Sequence, residues 1–395
     1  MKKDAKALLQ RVLELADRHI DAKRVATAKR RQADMFAWRQ TDYVPMIPVP
    51  TTPPLQGDEW PSFDWAEQFH DPAASLYMQM RDVVMPQVLG GGDYVPAVRA
   101  DTGVINGPSI LGAPYDVPAH TKPVITGHLS YEVLREFSVP TDIRSAGCMP
   151  IMIAHTQHHL AALKAAGLGD RIGIHHCDLQ GPFDIAAMAR GHDDIFVDLY
   201  TDTAFVHELM AKCTDIYIAM AKLCKTLVGD AVTSGLANDY WMGAGSVRVC
   251  DDSGILVSPD LYREHLSPYI GKAMAPFGGG WIHYCGGIPN GNRPEGLHLH
   301  DTYLSHSEVR GLQFTTGGDL AAQVRRLREH KVAWLAVAWY DSLTRDGAQT
   351  NEALFRRLIA LCDVRRGMVV TAPVEPAELP GAMELWHDLQ DEAWK

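Results

Sequence analysis

Eight short apolar runs with strand character recur along this chain of 395 residues, and amphipathic stretches of helical length separate them. Strands that alternate with helices predict βαβ units, in which the strands lie parallel and the helices cover the sheet. Eight such units close into a (β/α)8 barrel with an outer ring of helices. The predicted strands lie at residues 43–49, 93–99, 171–177, 246–250, 281–285, 309–314, 333–339 and 368–371.

The main alternative to a barrel is a doubly wound open sheet. No Gly-x-Gly-x-x-Gly motif follows the first predicted strand, so the sequence does not support a dinucleotide-binding half. A charged amphipathic helix precedes that strand. We therefore predict a helical extension over residues 1–40 and a single barrel over residues 41–395.

Composition and charge exclude several classes of function. The chain is 46% hydrophobic and 22% charged, as in an ordinary soluble protein, and its net charge of −11 with no basic block argues against nucleic acid. The longest apolar runs are too short to span a membrane, and the N-terminal segment lacks the apolar core of a signal peptide. Seven irregularly spaced cysteines favour a reduced, cytoplasmic protein, and a homo-oligomer is compatible with the sequence.

The firmest helix prediction covers residues 203–227, where apolar side chains recur at spacings of three and four. This pattern places Cys213 and Cys224 on the buried face, so we assign both to packing. A second helix is predicted over residues 259–275. Cys362 closes a later helix and is also assigned to packing. These three cysteines are therefore not expected to bind metal.

The strand predicted at 281–285 ends in His283 and Cys285, and Gly286 and Gly287 follow. Successive strand side chains alternate between faces, so the imidazole and the thiol point the same way. Together they supply half of a tetrahedral zinc site, and the two glycines leave the backbone open to a substrate. The structural alternative is that both side chains only pack in the core.

Polar residues also follow the third and fourth predicted strands, at the end of a barrel where active sites form. Asp178 and Gln180 follow the third, and they serve either catalysis or the capping of the Gly-Pro turn behind them. Asp251 and Asp252 follow the fourth. One of them would bind substrate or act as a general base, unless the pair forms a solvated turn.

Two further stretches carry candidate residues. Trp339 and Tyr340 end the seventh predicted strand, and we expect them to wall a substrate pocket or to form only the rim of the barrel. The loop after 281–285 carries three histidines, which we interpret as surface residues. They are His298, His300 and His306.

Five segments share their order and spacing with one known family. They are RQTDYVPMIPV, DLQGPFDIAAMARG, DDSGILVSPDLYREHLSPYI, WIHYCGG and PVEPAELPGAM. Together they resemble the uroporphyrinogen decarboxylase superfamily over about residues 30–385. The resemblance implies a single (β/α)8 barrel with its site at the C-terminal ends of the strands.

The superfamily has two well-known branches. The decarboxylases bind tetrapyrrole carboxylates through an arginine-rich loop after the first strand, and the corresponding residues 49–54 here contain no arginine. The other branch contains zinc-dependent methyltransferases that move a methyl group between a corrinoid and a thiol. Its His-x-Cys pair is matched by His283 and Cys285. The resemblance therefore implies methyl transfer, a zinc ion, and cobalamin or a corrinoid protein as a reaction partner.

The chain departs from this branch at the last predicted strand, where those methyltransferases supply a third ligand from a cysteine. Residues 368–373 read MVVTAP, with no cysteine. Four residues elsewhere could replace that ligand. They are Cys177, His175, His176 and Asp251. Two other functions stay open, namely a metal-free lyase acting on a small carboxylated substrate and a barrel that binds a corrinoid or small ligand without turnover.

Overall fold

The computed structural model describes residues 3–285, 296–314, 319–338, 350–362 and 364–394. Within these ranges eight parallel strands form the predicted (β/α)8 barrel, and the doubly wound alternative is excluded. They are β1 (Met46–Pro50), β2 (Ala97–Val98), β3 (Gly173–Ile174), β4 (Val247–Cys250), β5 (Gly280–His283), β6 (Val309–Gln313), β7 (Ala333–Val337) and β8 (Met368–Val374).

The barrel is assembled from two groups of hydrogen-bonded strands. Six strands form a continuous parallel sheet in the order β1-β8-β7-β6-β5-β4, while β2 and β3 pair with each other. Next to β2, the amide of Asp93 donates to the carbonyl oxygen of Met46 on β1 at 2.7 Å. Between β3 and β4, the carboxylate of Asp178 pairs with Arg248 at 2.9 Å. These contacts join the two groups of strands into a ring.

Helices connect the strands and cover the outside of the barrel. In the described ranges the α-helices are α1 (Ala5–His19), α2 (Ala22–Phe36), α3 (Trp65–His70), α4 (Pro72–Gln79), α5 (Met85–Gly90), α6 (Asn106–Ile110), α7 (Tyr131–Glu136), α8 (Met149–Ala165), α9 (Pro182–Arg190), α10 (His192–Thr201), α11 (Thr203–Val228), α12 (Pro259–Leu261), α13 (Ser267–Met274), α14 (His300–Leu304), α15 (Leu320–Glu329), α16 (Asn351–Leu361) and α17 (Leu379–Ala393). None of these helices combines the length and apolar character needed to cross a membrane.

Short irregular elements complete the fold. Single turns of π-helix lie at Met80–Val84 and Tyr262–Leu266, and 3-10 turns at Gly254–Leu256, Ala275–Phe277 and Leu297–Leu299. Two antiparallel hairpins pair Tyr115–Asp116 with Val124–Ile125 and Gly235–Ala237 with Tyr240–Met242. The second hairpin, residues 235–242, contacts the barrel wall, because the indole nitrogen of Trp281 on β5 donates to its Ala237 carbonyl at 2.8 Å.

Helix α11 confirms the periodicity of residues 203–227. Asp202 caps its start by accepting from the amide of Phe205, and Gly229 ends it with a φ of 75°. Cys213 and Cys224 are buried as predicted, and so is Cys362 at the end of α16. The helix predicted over 259–275 is present, but the π-turn divides it into α12 and α13.

The apolar core surrounds the barrel. Val247 and Val249 of β4 belong to the cluster that packs against the helices, together with side chains of α9, α11 and α13. Residues alternate along a strand, so Arg248 and Cys250 take the opposite face, toward the barrel interior. The segment before β1 contains α1 and α2, and the proposed boundary at residue 40 stays a prediction.

Candidate metal and substrate site

Three side chains with metal-binding atoms meet at the C-terminal ends of β4 and β5. Asp252, His283 and Cys285 each place one such atom within 4.8 Å of the others. The register of the two strands sets Cys250 beside His283, and the amide of Asp251 donates to the His283 carbonyl at 2.9 Å. The amide of Cys285 then donates to a carboxylate oxygen of Asp252 at 2.6 Å. The backbone therefore holds all three groups together.

His283 is oriented by two contacts on its ring. Nδ1 lies 2.6 Å from the amide oxygen of Gln313, and Nε2 lies 2.8 Å from the sulfur of Cys285. A carbonyl oxygen only accepts, so Nδ1 carries the hydrogen and the Nε2 lone pair faces the sulfur. Burial and the nearby Arg248 guanidinium lower the pKa of His283. The imidazole is thus neutral, which is the form that binds metals.

The donor set suits a zinc ion. Imidazole nitrogen, thiolate sulfur and carboxylate oxygen are the three kinds of protein ligand that zinc takes, and three ligands leave one tetrahedral position for a substrate. In the part of the chain that the structure describes, Asp252, His283 and Cys285 form the one cluster of this kind. The third donor comes from the loop after β4, which differs from the last-strand cysteine that the resemblance would require.

Three of the alternative third ligands, Cys177, His175 and His176, lie away from this cluster. The sulfur of Cys177 lies 3.8 Å from that of Cys224 on α11, on the helix side of the barrel. His175 and His176 direct Nδ1 to the carbonyl oxygens of His176 and Cys177, at 2.9 and 2.8 Å. None of these three side chains belongs to the cluster of Asp252, His283 and Cys285.

Asp251, the fourth candidate, is enclosed by tyrosines. One of its carboxylate oxygens accepts from the hydroxyls of Tyr262 and Tyr303, the latter at 2.7 Å. Burial raises the pKa of Asp251 to about 6. The carboxylate of Asp251 is thus held by the two tyrosines, whereas that of Asp252, in the turn that follows, belongs to the cluster. The acid/base role predicted for Asp251 stays a prediction.

Asp184 is a site residue that the sequence did not indicate. It lies in the first turn of α9 and accepts from the amides of Asp252 and Ser253, at 3.2 and 2.7 Å. Burial and the neighbouring carboxylates of Asp252 and Asp251 raise the pKa of Asp184 to about 8. An aspartate in the first turn of a helix is common, so its position along the chain gave no reason to select it.

Asp178 lies between two arginines inside the barrel. It pairs with Arg248 at 2.9 Å and Arg99 at 3.3 Å, and the amide of Gln180 donates to it at 2.8 Å. Burial alone would raise the pKa of Asp178, but the two guanidinium groups hold it well below its usual range. Asp178 is therefore a fixed anion near neutral pH and a poor proton acceptor.

Of the remaining predicted residues, four lie outside the described part of the chain and one is buried rather than exposed. The four are the predicted substrate-binding residues Gly286, Gly287, Trp339 and Tyr340. The assignment of His300 to the surface is wrong, because this side chain is 1% exposed and bonds to Tyr284 and Gln323 at 2.7 and 2.8 Å. His300 begins α14 and bonds to Gln323 of α15, and the sequence of the loop alone did not reveal this tertiary contact.

Comparisons with known proteins agree with this architecture. The family model of uroporphyrinogen decarboxylase (URO-D) matches residues 97–332, which is more than half of the chain. The chain belongs to the URO-D family. No curated protein matches it. A methyltransferase from Methanosarcina mazei has a similar structure, with a TM-score of 0.61 and 15% identity over 93% of this chain and 99% of that one.

At that level of identity the structural likeness establishes the fold alone. Membership of the URO-D family makes the chain an enzyme. In this URO-D barrel, the cluster of Asp252, His283 and Cys285 and the ion pairs of Asp178 lie at neighbouring strand ends. This is the end of a (β/α)8 barrel where substrates bind.

Proposed function

We propose that this protein is a zinc-dependent methyltransferase that moves a methyl group between a corrinoid and a thiol. The observation that carries the proposal is the convergence of Asp252, His283 and Cys285 at one strand end. The URO-D family match and the structural similarity to a methyltransferase support the same choice. We further propose a cytoplasmic location, a small-molecule acceptor, and free cobalamin or a corrinoid protein as the partner.

The three side chains would hold the ion through one atom each. Bound zinc lowers the pKa of a thiol in its open position, which makes the thiolate available at neutral pH. The chain supplies a neutral imidazole from His283 and a negative charge from each of Asp252 and Cys285. These two charges offset the charge of the ion, so the acceptor thiolate alone adds a net negative charge to the site.

The neighbouring ion pairs would form one wall of the same space. Asp178 holds Arg248 and Arg99 in fixed positions, and Arg99 also pairs with Asp101 at 3.2 Å. Lys122 also pairs with Asp101 at 3.3 Å, so the network contains two carboxylates, two guanidinium groups and one ammonium group. We propose that Asp178 and Gln180 orient the arginines toward polar groups of the substrate and take no part in proton transfer.

Metal analysis and a spectral assay test the proposal. Protein purified without added metal should contain about one zinc per chain. It should demethylate methylcobalamin when a thiol is added, with a change in the visible spectrum of the corrin. His283→Ala, Cys285→Ser and Asp252→Asn should each lose zinc and activity. Asp251→Asn is the matched control, because its carboxylate lies outside the cluster, and it should keep the metal.

A metal-free lyase is the second candidate, and the buried pair of Arg99 and Arg248 favours it. Two guanidinium groups inside a barrel can bind a carboxylated substrate. This candidate predicts release of carbon dioxide from small carboxylic acids, with no loss in Cys285→Ser and a strong loss in Arg248→Lys. Wild-type protein with no zinc and no thiol-dependent spectral change would exclude methyl transfer. Cobalamin binding without turnover would instead support a non-catalytic barrel.

A further inference from the structure

Gln313 lies beside the candidate zinc site and forms a hydrogen bond with His283, one of the proposed ligands. It is the last residue of β6, directly across from His283 in the parallel register of β5 and β6. Its amide oxygen accepts from Nδ1 of His283 at 2.6 Å. Its amide nitrogen donates to the hydroxyl oxygen of Tyr240 at 3.2 Å. Both ends of the amide are therefore engaged.

Tyr240 is fixed by its surroundings. It lies in the hairpin of residues 235–242 and is 2% exposed. Its ring packs edge-on against Trp281 and Phe36, with centroid distances of 5.3 and 6.1 Å. Its hydroxyl also bonds to the side chain of Thr371 on β8. Because its ring is packed by Trp281 and Phe36 and its hydroxyl is bonded to Thr371, Tyr240 gives the amide of Gln313 a fixed partner.

We infer that Gln313 and Tyr240 are positioning residues that set the tautomer and ring plane of His283. A neutral imidazole carries one hydrogen, and the carbonyl oxygen of Gln313 places it on Nδ1. The Nε2 lone pair then points to Cys285, where the proposed ion would bind. The other tautomer would put the hydrogen on Nε2 and block that lone pair.

This inference rests on the proposed zinc site, and it adds which residues prepare the histidine. Removal of a residue that hydrogen-bonds to a metal-binding histidine typically weakens metal affinity by about 10–100-fold. A role in packing alone would not distinguish an oxygen acceptor from an apolar side chain of similar size. The choice of substitutions at residue 313 therefore separates the two roles.

The experiment measures Co²⁺ and Zn²⁺ affinity by competition with a chelator, together with the thiolate-to-cobalt absorption band. Gln313→Leu should weaken binding by about 10–100-fold. Gln313→Glu keeps an oxygen acceptor and should restore most of the affinity, and Tyr240→Phe should give a smaller loss. Gln323→Leu is the matched control, because Gln323 bonds to Nδ1 of His300 in the same way at 2.8 Å, outside the site.

A metal-free measurement keeps the two proposals apart. ¹⁵N NMR of histidine-labelled protein should show His283 with the hydrogen on Nδ1 in wild type and in Gln313→Glu, and a mixture of tautomers in Gln313→Leu. Equal affinities and equal tautomers in wild type and Gln313→Leu would overturn the inference. Equal losses in Gln313→Leu and Gln313→Glu would also overturn it. Wild-type protein that binds neither metal would overturn the proposed function, while the tautomer still decides the role of Gln313.

Discussion

At the scale of single residues, the charge on Asp178 depends on its two arginine partners. Asp178→Asn would leave Arg248 and Arg99 with one carboxylate fewer inside the barrel. Breaking one side of a buried ion pair costs about 3–5 kcal/mol. We expect a free energy of unfolding lower by about 3 kcal/mol in urea titrations, with zinc content unchanged. A variant as stable as wild type would contradict this account of the network.

The contrast between Asp251 and Asp252 shows what a residue pattern can and cannot predict. Their position after a strand indicated that this strand end carries carboxylates, and the structure bears that out. It could not indicate which of them faces His283, because that depends on the register between β4 and β5. It also depends on Tyr303, which contacts Asp251 from 52 residues further along the chain.

At the scale of elements, the close approach of α9 to β4 depends on Gly181. A Cβ atom at residue 181 would overlap the carbonyl oxygen of Cys250 at the end of β4. Gly181→Ala should therefore displace the start of α9, and with it Asp184, which holds the amides of the Asp252 turn. We expect a loss of about 1–3 kcal/mol of stability and weaker zinc binding, measured by urea unfolding and chelator competition.

A control for this substitution lies in α17. Gly381 has no atom within 4 Å of an added Cβ, and alanine is the better helix former. Gly381→Ala should raise stability by up to about 1 kcal/mol and leave zinc binding unchanged. If both alanine variants behaved alike, the contact between residue 181 and β4 would not control the site.

The elements themselves could be predicted with uneven success. The eight strands follow from runs of apolar residues, but β2 and β3 are much shorter than the runs that predicted them. Cys177 still belongs to the apolar run although β3 ends at Ile174, so the run extends beyond the residues that pair with β2. The π-turn at Tyr262–Leu266 was also not predicted, because one residue added to a helical turn barely changes the apolar spacing.

At the scale of the whole molecule, the barrel was predictable because eight alternating strands and helices permit few closed arrangements. The set of metal-binding residues was harder to predict, because Asp252 comes close to His283 only after the barrel has closed. The sequence gives Asp252 no feature that Asp251 lacks. The last strand has no cysteine, and the structure places the carboxylate of Asp252, from the turn after β4, beside His283 and Cys285.

Stability in acid is a further property of the whole molecule, because it depends on buried histidines. Burial lowers the pKa of His155 to about 4 and that of His159 to about 3, and both lie on the inner face of α8. The unfolded chain binds these protons near pH 6.5. The stability that these two histidines contribute is therefore complete above about pH 6.5 and falls as the pH drops toward the folded pKa values, by about 1.4 kcal/mol per pH unit for each histidine.

Replacing one of these histidines should reduce that slope. Asp251 and Asp184, whose pKa values are raised to about 6 and about 8, act in the opposite sense from about pH 4 upward and offset part of this slope, so the slope of the variant is compared directly with that of wild type. In His159→Phe the slope between about pH 4 and 6 should fall by about 1.4 kcal/mol per pH unit, because the ring no longer takes up a proton on unfolding. Urea unfolding at several pH values measures the slope, and the exposed His330→Phe serves as the control. Parallel slopes in wild type and His159→Phe would show that the acid sensitivity arises elsewhere in the barrel.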